Sequence, residues 1–335
     1  MADNVLDQIV GNLRSSGSIY FPGHSELKAV RVVGHTPKPD HYIYEIVLDF
    51  AEGSERVNAK IYRGKTGPRE LATREFQHLV FAHDAAQEGK LEGIPRPIGD
   101  FADQGAVVST KVNGLPLQSI IMKVALLPAS GNNNLLQVAA KRAGEWLQRF
   151  HKATTRTLAP MDGAEVLAEM EKLCVRAQKD GLPEESTAVI LSNAKSALGR
   201  LKKNVRFSAV LNEFIPLNVL VAENGIGFCE FAGLSQDGYA LSDVARFLAA
   251  VEALEKYPFC NRGLPALVQD AFVEAYGLSA QEQAVVATLK MKVLLQMFAQ
   301  GRTVKASAVR KKVMWANVMK RFIQQAAERS MAPAA

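Results

Sequence analysis

The feature of this sequence that most constrains its fold is a change of pattern near residue 113. Before it, β-branched and aromatic residues form short runs, as in residues 42–48, and turn-forming residues separate them. After it, the spacing of apolar residues is mostly helical, apart from a β-rich stretch at residues 209–231. The sequence therefore predicts an α+β protein, with a small antiparallel β lobe followed by a larger helical lobe.

The individual elements follow from the same patterns. In the first lobe we predict the two strands of a hairpin, a third strand, a helix and a fourth strand: 29–33, 42–50, 55–62, 68–86 and 105–112. The sequence does not decide whether residues 98–101 form a further short strand. In the second lobe the predicted helices are 138–152, 164–177, 185–201, 241–254, 264–276, 280–299 and 306–327, and the predicted strands are 209–221 and 225–231.

The composition excludes several classes of protein. With 48% hydrophobic and 22% charged residues the chain is expected to fold, and 335 residues suggest two domains or lobes. No apolar run approaches the roughly 18 residues of a membrane-spanning helix, and no signal peptide is indicated. The three cysteines, Cys174, Cys229 and Cys260, are odd in number and far apart. This pattern favours a reducing compartment over a disulfide framework, so we expect a cytoplasmic protein.

Positive charge is concentrated near the C-terminus. The chain carries a formal +6, yet residues 290–329 hold ten basic residues and one acid, which leaves −3 for the rest. Over 306–327 we predict a basic amphipathic helix that packs on the helical lobe and shows its basic face to solvent. Its apolar face consists of Val309, Val313, Ala316, Met319 and Ile323. A nucleic-acid or anionic-membrane binding module stays open as an alternative, but it would rest on this helix alone.

A lysine and a glutamate of the first lobe are the first candidates for a functional site. Lys60 lies in the predicted strand Arg-Val-Asn-Ala-Lys-Ile-Tyr at 56–62, and Glu75 follows fifteen residues later in the predicted helix. By themselves they are also compatible with an exposed strand lysine and a solvated helix residue. The strand that ends the lobe runs into the turn Asn113-Gly114.

The most informative segment of the second lobe is 210–221. It contains Glu213, then a proline, then Asn218 five residues after the glutamate, and it continues into Val-Leu-Val. Glu230 follows twelve residues after Asn218. Asp243 stands near the start of the next predicted helix, where a role as a helix cap is equally open.

The order and spacing of these motifs resemble the aminoglycoside phosphotransferase and choline kinase group of kinase-like enzymes, over roughly residues 28–275. The pattern of that group is His-Gly-Asp, then four residues, then Asn, with a second metal-binding Asp further on. This chain has Leu211, Asn212 and Glu213 in place of His-Gly-Asp, and Glu230 in place of the second Asp. The resemblance implies a two-lobed protein-kinase-like fold.

The resemblance also implies how the first lobe would bind a nucleotide. Lys60 would contact the phosphates, because a cation on a rigid strand can balance their charge. Glu75 would orient Lys60. Backbone groups of Thr110 and Val112, at the end of the last strand, would form hydrogen bonds with the adenine. A strand that simply ends in a turn predicts the same residues there.

In the second lobe, Glu213 would lie near the acceptor hydroxyl, Asn218 and Glu230 would bind Mg²⁺, and Asp243 would brace the catalytic loop. Glutamate keeps the charge and the oxygen ligands of aspartate but adds one methylene group. A displacement of about an ångström can cost about a hundredfold in rate, so efficient transfer is less assured than metal binding. The loss of the His and the Gly is expected to remove supports of this loop.

The sequence therefore predicts an ATP- and Mg²⁺-dependent phosphotransferase that acts on the hydroxyl of an unidentified small molecule. The alternative is a catalytically inactive pseudokinase of the same fold, which would act as a regulatory or scaffolding protein with a protein partner. Nucleic acid is not expected as a partner. The predicted parts are an N-terminal helix or extension, a nucleotide-binding β lobe, a helical lobe with the catalytic-loop hairpin, and a basic C-terminal helix and tail: 1–27, 28–112, 113–305 and 306–335.

Overall fold

The protein consists of two compact units. The first comprises Met1–Gly114 and Gly227–Leu234, and the second comprises Leu115–Ile226 and Ser235–Ala335. The computed structural model describes residues 2–64, 67–126, 133–223, 225–257, 261, 263–300, 308–321 and 323. Cys260 and the end of the predicted C-terminal helix lie outside these residues. Within the described ranges, none of the helices is both long and apolar enough to cross a membrane.

The first unit contains a four-stranded antiparallel sheet, with neighbours in the order β1-β2-β3-β4, and two helices. Its elements are α1 (Ala2–Tyr20), β1 (Leu27–Pro37), β2 (His41–Phe50), β3 (Ser54–Tyr62), α2 (Pro68–Glu88) and β4 (Ala106–Thr110). The predicted hairpin, third strand, helix and fourth strand are thus confirmed. Residues 98–101 form no strand, and only an isolated bridge between Pro97 and Ser109 lies nearby.

The core of this unit lies on one face of the sheet. Ile46 and Leu48 of β2 are fully buried there, in one cluster with Ile9 and Leu13 of α1. Successive strand residues point to opposite faces, so the alternating apolar pattern of β2 and β3 directs one set of side chains to this cluster. Lys60 of β3 therefore lies on the opposite face.

Within the described residues, the second unit contains eight α-helices and several short strands. The helices are α3 (Leu117–Leu126), α4 (Asn133–Ala153), α5 (Gly163–Lys179), α6 (Glu184–Arg200), α7 (Leu241–Glu252), α8 (Gly263–Tyr276), α9 (Ala280–Gln300) and α10 (Ala308–Met314). The strands are β5 (Leu115–Pro116), β6 (Thr157–Ala159), β7 (Val205–Val210), β8 (Val219–Val221) and β10 (Ser235–Tyr239), while β9 (Ile226–Phe228) crosses a boundary between the units. β7 pairs with β6 and with β10, and β5 pairs with β8.

The predicted continuous strand over 209–221 is wrong. The chain forms β7 and β8 instead, with a loop at 211–218 between them. Two residues account for the break. Asn212 has a positive φ of 59°, which a strand cannot accommodate, and Pro216 has no N–H to donate to a neighbouring strand.

An aromatic core holds the second unit together. The rings of Phe247 and Phe272, from α7 and α8, stack with their centroids 4.0 Å apart. Trp146 stacks on Phe150 within α4 and on Phe214 of the loop, at 5.8 and 5.6 Å. Trp146 and Phe150 stand four residues apart in the sequence, so both lie on one face of α4. Because Phe214 is fully buried, it anchors the loop to this core.

The apolar face predicted for the C-terminal helix is confirmed only in part. Met319 is buried as predicted, but Val309 is 67% exposed. Met314 and Val318, which lie outside the predicted face, are also buried. A π-helical turn at Trp315–Met319 follows α10, so it accounts for the changed positions from Trp315 onward and not for the exposure of Val309. A π turn holds more residues than an α turn, so it rotates the following side chains relative to a regular helical stripe.

The basic C-terminal segment is partly neutralised within its own unit. Three of its basic residues form ion pairs with acidic residues: Lys290 with Glu252, Lys292 with Glu169, and Arg321 with Glu255. Only Arg321 belongs to the predicted helix 306–327, so the predicted solvated basic face is contradicted at that residue, whereas Lys312 and Lys320 are exposed as predicted. Arg321 places one nitrogen 2.7 and 2.8 Å from the two oxygens of Glu255, whose side chain is only 4% exposed.

Candidate functional site

The candidate site of the first unit centres on Lys60. Its Nζ lies 2.9 Å from Glu75 Oε1 and 2.8 Å from Glu230 Oε1. The Lys60 and Glu75 side chains are 13% and 4% exposed, and that of Glu230 is 24% exposed. The two residues that the sequence proposes as a pair, Lys60 and Glu75, are therefore in contact. Glu230 joins them because residues 227–234 belong to this unit.

Tyr62 completes this cluster, although no sequence motif indicates a role for it. It lies two residues after Lys60 on the same face of β3 and donates a hydrogen bond from Oη to Glu75 Oε2, at 2.5 Å. Lys60 Nζ also lies 5.2 Å from the centre of the Tyr62 ring. Both oxygens of the buried Glu75 carboxylate thus accept a hydrogen bond, which offsets the cost of its burial.

The negative charges of Glu75 and Glu230 stabilise the ionised, positively charged form of Lys60. Burial alone would lower the pKa of Lys60, but the carboxylates of Glu75 and Glu230 outweigh burial and raise it above the ordinary lysine value. Burial raises the pKa of Glu75, while the charge of Lys60 opposes that change. Burial and the nearby Glu75 raise the pKa of Tyr62. At neutral pH, Lys60 is therefore a cation and Tyr62 a neutral hydrogen-bond donor.

The segment that carries Glu230 is held by backbone contacts within the first unit. The Phe228 N–H donates to Gly93 O at 2.9 Å, and His78 Nδ1 lies 3.0 Å from Phe231 O. Glu230 Oε1 also accepts from the N–H of Ala232 at 3.3 Å. These contacts fix the backbone on both sides of Glu230, so its carboxylate reaches Lys60 from a defined position.

Thr110 and Val112 lie at and just beyond the end of β4. The Thr110 N–H donates to Arg96 O at 2.9 Å, and Thr110 Oγ1 accepts from the Arg96 N–H at 2.8 Å. In the part of the chain that the structure describes, the Val112 backbone groups have no hydrogen-bond partner. A Cβ at Gly227 would lie 2.2 Å from Val112 Cγ1, so a larger residue there would require the Val112 side chain to move. The adenine-binding role of Thr110 and Val112 stays a prediction.

A second charged group lies on the same face of the sheet as Lys60, and the sequence analysis missed it. Glu45 Oε1 lies 2.6 Å from Arg56 Nη1 and 2.8 Å from Lys111 Nζ. The strand register pairs Glu45 with Asn58, two residues before Lys60, which places these side chains on one face. Alternation along β2 and β3 could have indicated this cluster, whereas the position of Lys111 depends on where β4 ends.

Glu213 and Asn218 lie in the loop 211–218 of the second unit. Asn218 Nδ2 donates to the backbone oxygen of Glu213 at 3.0 Å, and the Asn218 N–H donates to Ile215 O at 2.9 Å. Both side chains are half-buried. The hydrogen bond from Nδ2 fixes the orientation of the Asn218 amide, so its oxygen is the atom that faces away from Glu213 O.

Asp243 braces this loop from α7. Its carboxylate accepts from the N–H of Leu211 and from the N–H of Asn212, each at 2.7 Å, and it lies 3.1 Å from His151 Nε2. The N-cap position of α7 is Ala240, and no side chain caps the helix. Of the two roles left open for Asp243, bracing the loop is therefore confirmed.

His151 has a structural role in the second unit. Its ring is fully buried in α4 and lies between Asp243 and Tyr276, with Nδ1 at 2.9 Å from Tyr276 Oη. The expected loss of support at the replaced glycine is not observed. Asn212 itself adopts the left-handed φ, which asparagine tolerates better than most residues with a Cβ.

No protein-family model matches the chain, and no curated protein matches it in sequence. Solved structures do match it over almost its whole length. A glucosamine kinase aligns with a TM-score of 0.60 at 14% identity, covering 96% of this chain and 98% of that chain. Aminoglycoside 2'-phosphotransferase-IIIa in its GDP complex aligns at 0.54 and 11% identity, covering 96% and 99%. A putative fructosamine-3-kinase from Thermobifida fusca aligns at 0.53 and 16% identity, covering 94% and 99%.

At these identities the matches establish the fold. The small antiparallel sheet and the larger helical portion are those of protein-kinase-like phosphotransferase structures. The predicted α+β fold class is therefore confirmed. The functional roles of Lys60, Glu75, Glu213, Asn218 and Glu230 stay predictions, as do the lobe boundaries.

Proposed function

We propose that this chain is a kinase-like phosphotransferase that uses ATP and Mg²⁺ to phosphorylate a hydroxyl of a small molecule. The observation that carries this proposal is the buried cluster in which Lys60 contacts both Glu75 and Glu230. Phosphoryl transfer depends on charge placed rigidly against the phosphates, and a strand lysine held as a cation supplies such charge. The matching structures support nucleotide use, since one of them is a glucosamine kinase in complex with glucosamine, ADP and inorganic phosphate.

The first unit would form the nucleotide-binding lobe. Lys60 would bind the phosphates, and Glu75, itself held by Tyr62, would keep Lys60 in place. The Thr110 N–H already donates to Arg96 O, so Thr110 would contact adenine through its carbonyl oxygen. The N–H of Val112 would supply the complementary donor.

The available oxygen donors suit Mg²⁺. This ion takes oxygen ligands in octahedral geometry and keeps several waters, so one or two protein ligands are enough. In the described residues no group of three His, Cys, Asp or Glu side chains could hold a metal by itself. Glu230 and the amide oxygen of Asn218 are therefore the side-chain oxygens that we propose as Mg²⁺ ligands, each within its own unit. Phosphate oxygens would supply further ligands, and the ion would neutralise their charge. Glu213 would accept the proton of the acceptor hydroxyl.

The decisive experiment measures nucleotide binding through thermal unfolding. MgATP should raise the melting temperature, because a ligand at about a hundred times its dissociation constant stabilises the folded state by about 2.7 kcal/mol. Lys60→Ala should abolish that increase relative to its own ligand-free melting temperature. Lys28→Ala is the matched control, because Lys28 is an exposed lysine on β1 of the same unit. Mg²⁺ alone and ATP with a chelator complete the comparison.

The possible outcomes separate the hypotheses. If MgATP leaves the melting temperature of the unmodified chain unchanged, the nucleotide-dependent function is wrong. If both lysine variants keep the full increase, nucleotide binds elsewhere and the assignment of Lys60 is wrong. Acceptor screening starts with amino sugars, because glucosamine kinase and aminoglycoside phosphotransferases are among the structures that this fold matches.

A pseudokinase is the second candidate function, and two observations favour it. The acid assigned to the acceptor hydroxyl, Glu213, and the acid assigned to Mg²⁺, Glu230, are both glutamates in place of aspartates. In addition, Glu230 forms an ion pair with Lys60. The double variant Glu213→Asp with Glu230→Asp distinguishes the candidates. If the extra methylene groups only slow the reaction, restoring aspartate should raise ATP turnover by up to about a hundredfold. If the chain is a pseudokinase, turnover stays at background in both forms.

A further inference from the structure

A cavity of about 290 Å³ lies within the second unit, between α5, α6 and α9, and Ile323 of the C-terminal segment also lines it. Its deepest wall consists of buried apolar side chains, namely Met170, Ile190, Ala194 and Met291. None of the residues assigned above to nucleotide, metal or acceptor hydroxyl lines it. The cavity is therefore a separate feature of the helical unit, and its apolar wall favours the apolar part of an organic molecule.

Two polar groups of α6 give the cavity a chemical preference. Asn193 lines it, and Asn193 Nδ2 is shielded from solvent but has no hydrogen-bond acceptor among the described residues. A buried amide donor without a partner is costly, so an acceptor atom from a ligand would stabilise it. Arg200 lines the same cavity at its exposed edge. Within the described ranges, no carboxylate pairs with Arg200.

The charge of the residues that line the cavity favours a negatively charged ligand. Arg200 is its one charged residue in the described part of the chain, and no aspartate or glutamate lines the cavity there. An apolar interior, an unpaired donor in the wall and a cation at the rim are complementary to a molecule with an apolar body and a carboxylate. A positively charged or purely apolar ligand would leave Asn193 or Arg200 without a partner.

We propose that this cavity binds an organic carboxylate with an apolar body of about eight carbons. The size follows from the volume, since a water molecule occupies about 30 Å³ and the cavity therefore holds roughly ten non-hydrogen atoms. Octanoate has about that number of atoms and serves as the probe. Its chain lies against Ile190 and Met291, and its carboxylate accepts from Asn193 Nδ2 and faces Arg200. The proposal is independent of nucleotide binding.

Isothermal titration calorimetry of the full chain with octanoate tests the proposal. We expect one site per chain, with an affinity that falls about fourfold for each methylene removed in hexanoate and butanoate. The neutral analogue 1-octanol should bind more weakly than octanoate. Arg200→Gln should weaken octanoate binding about fivefold. Lys195→Gln, an exposed lysine on the same helix outside the cavity, should leave the affinity unchanged.

A blocking variant provides the decisive outcome. Ala197 and Ala287 line the cavity from α6 and α9 and are half-buried, so Ala197→Phe or Ala287→Phe fills it from either wall. Each variant is first checked for an unchanged melting temperature and circular dichroism spectrum. A folded blocking variant should show no octanoate binding. The proposal is overturned if octanoate does not bind the unmodified chain, or if it binds a folded blocking variant as tightly as the unmodified chain.

Discussion

Replacing Asp243 by asparagine separates the bracing of the loop from helix capping. The Asp243 side chain is fully buried and accepts the N–H groups of Leu211 and Asn212 with its two oxygens. Asparagine offers only one oxygen, so its NH₂ group must face one of these donors. A buried donor left unsatisfied costs about 1–3 kcal/mol, a large part of a total stability of about 5–15 kcal/mol. We expect Asp243→Asn to lower the free energy of unfolding by that amount.

Guanidinium unfolding followed by tryptophan fluorescence measures this change, because both tryptophans, Trp146 and Trp315, lie in the second unit. Asp162→Asn is the matched control. Asp162 caps α5 by accepting the N–H of Glu165 at 2.9 Å, and asparagine caps helices about as well as aspartate. If Asp243→Asn costs no more than Asp162→Asn, the two backbone contacts do not carry the stability that the geometry implies.

Three further predictions follow from the ionisable groups. Tyr62→Phe should lower the free energy of unfolding by about 1–3 kcal/mol, because the buried Glu75 loses a donor; a change below about 0.5 kcal/mol would contradict this. Burial and the charge of Lys60 lower the pKa of His41 in the folded protein. The neutral imidazole therefore stabilises the fold above pH 6.5, and this stabilisation should decline as the pH falls below 6.5. Hydrogen exchange in β2 measures it, and its pH dependence should be weaker in His41→Gln. Arg321→Gln should lower the free energy of unfolding by about 2 kcal/mol, because it leaves the buried Glu255 without its cation. The loss is smaller than for a fully buried pair, since the Arg321 side chain is 34% exposed. Adding Glu255→Gln to this variant should recover part of the lost stability.

Local patterns were sufficient to predict most regular elements. Alternation of apolar residues identified β2 and β3, and spacings of three and four identified α4 with its buried Trp146 and Phe150. These patterns work because each element buries one face, and the period of the apolar residues reflects that face. The resemblance of the motifs to a known family, rather than periodicity, indicated Lys60 and Glu75 as a pair.

Features that depend on distant parts of the chain could not be predicted in this way. The contact between Lys60 and Glu230 joins residues 170 positions apart, and no local pattern encodes such a distance. The break between β7 and β8 depends on one asparagine that adopts a positive φ, which most asparagines do not. The π turn near the C-terminus is equally invisible, because its sequence is also compatible with a regular helix.

The assignment of residues 227–234 to the first unit has a consequence for how the protein is made. The ribosome delivers residues 1–114 first, but the segment that brings Glu230 to Lys60 emerges roughly 120 residues later. Until then Lys60 lacks one of its two carboxylate partners, and the intervening residues belong to the second unit. Synthesis therefore cannot complete one unit before starting the other. A chain that ends at residue 114 would contain the four strands of the sheet but would lack residues 227–234 of the first unit. Adding residues 227–234 as a separate peptide should restore the missing segment.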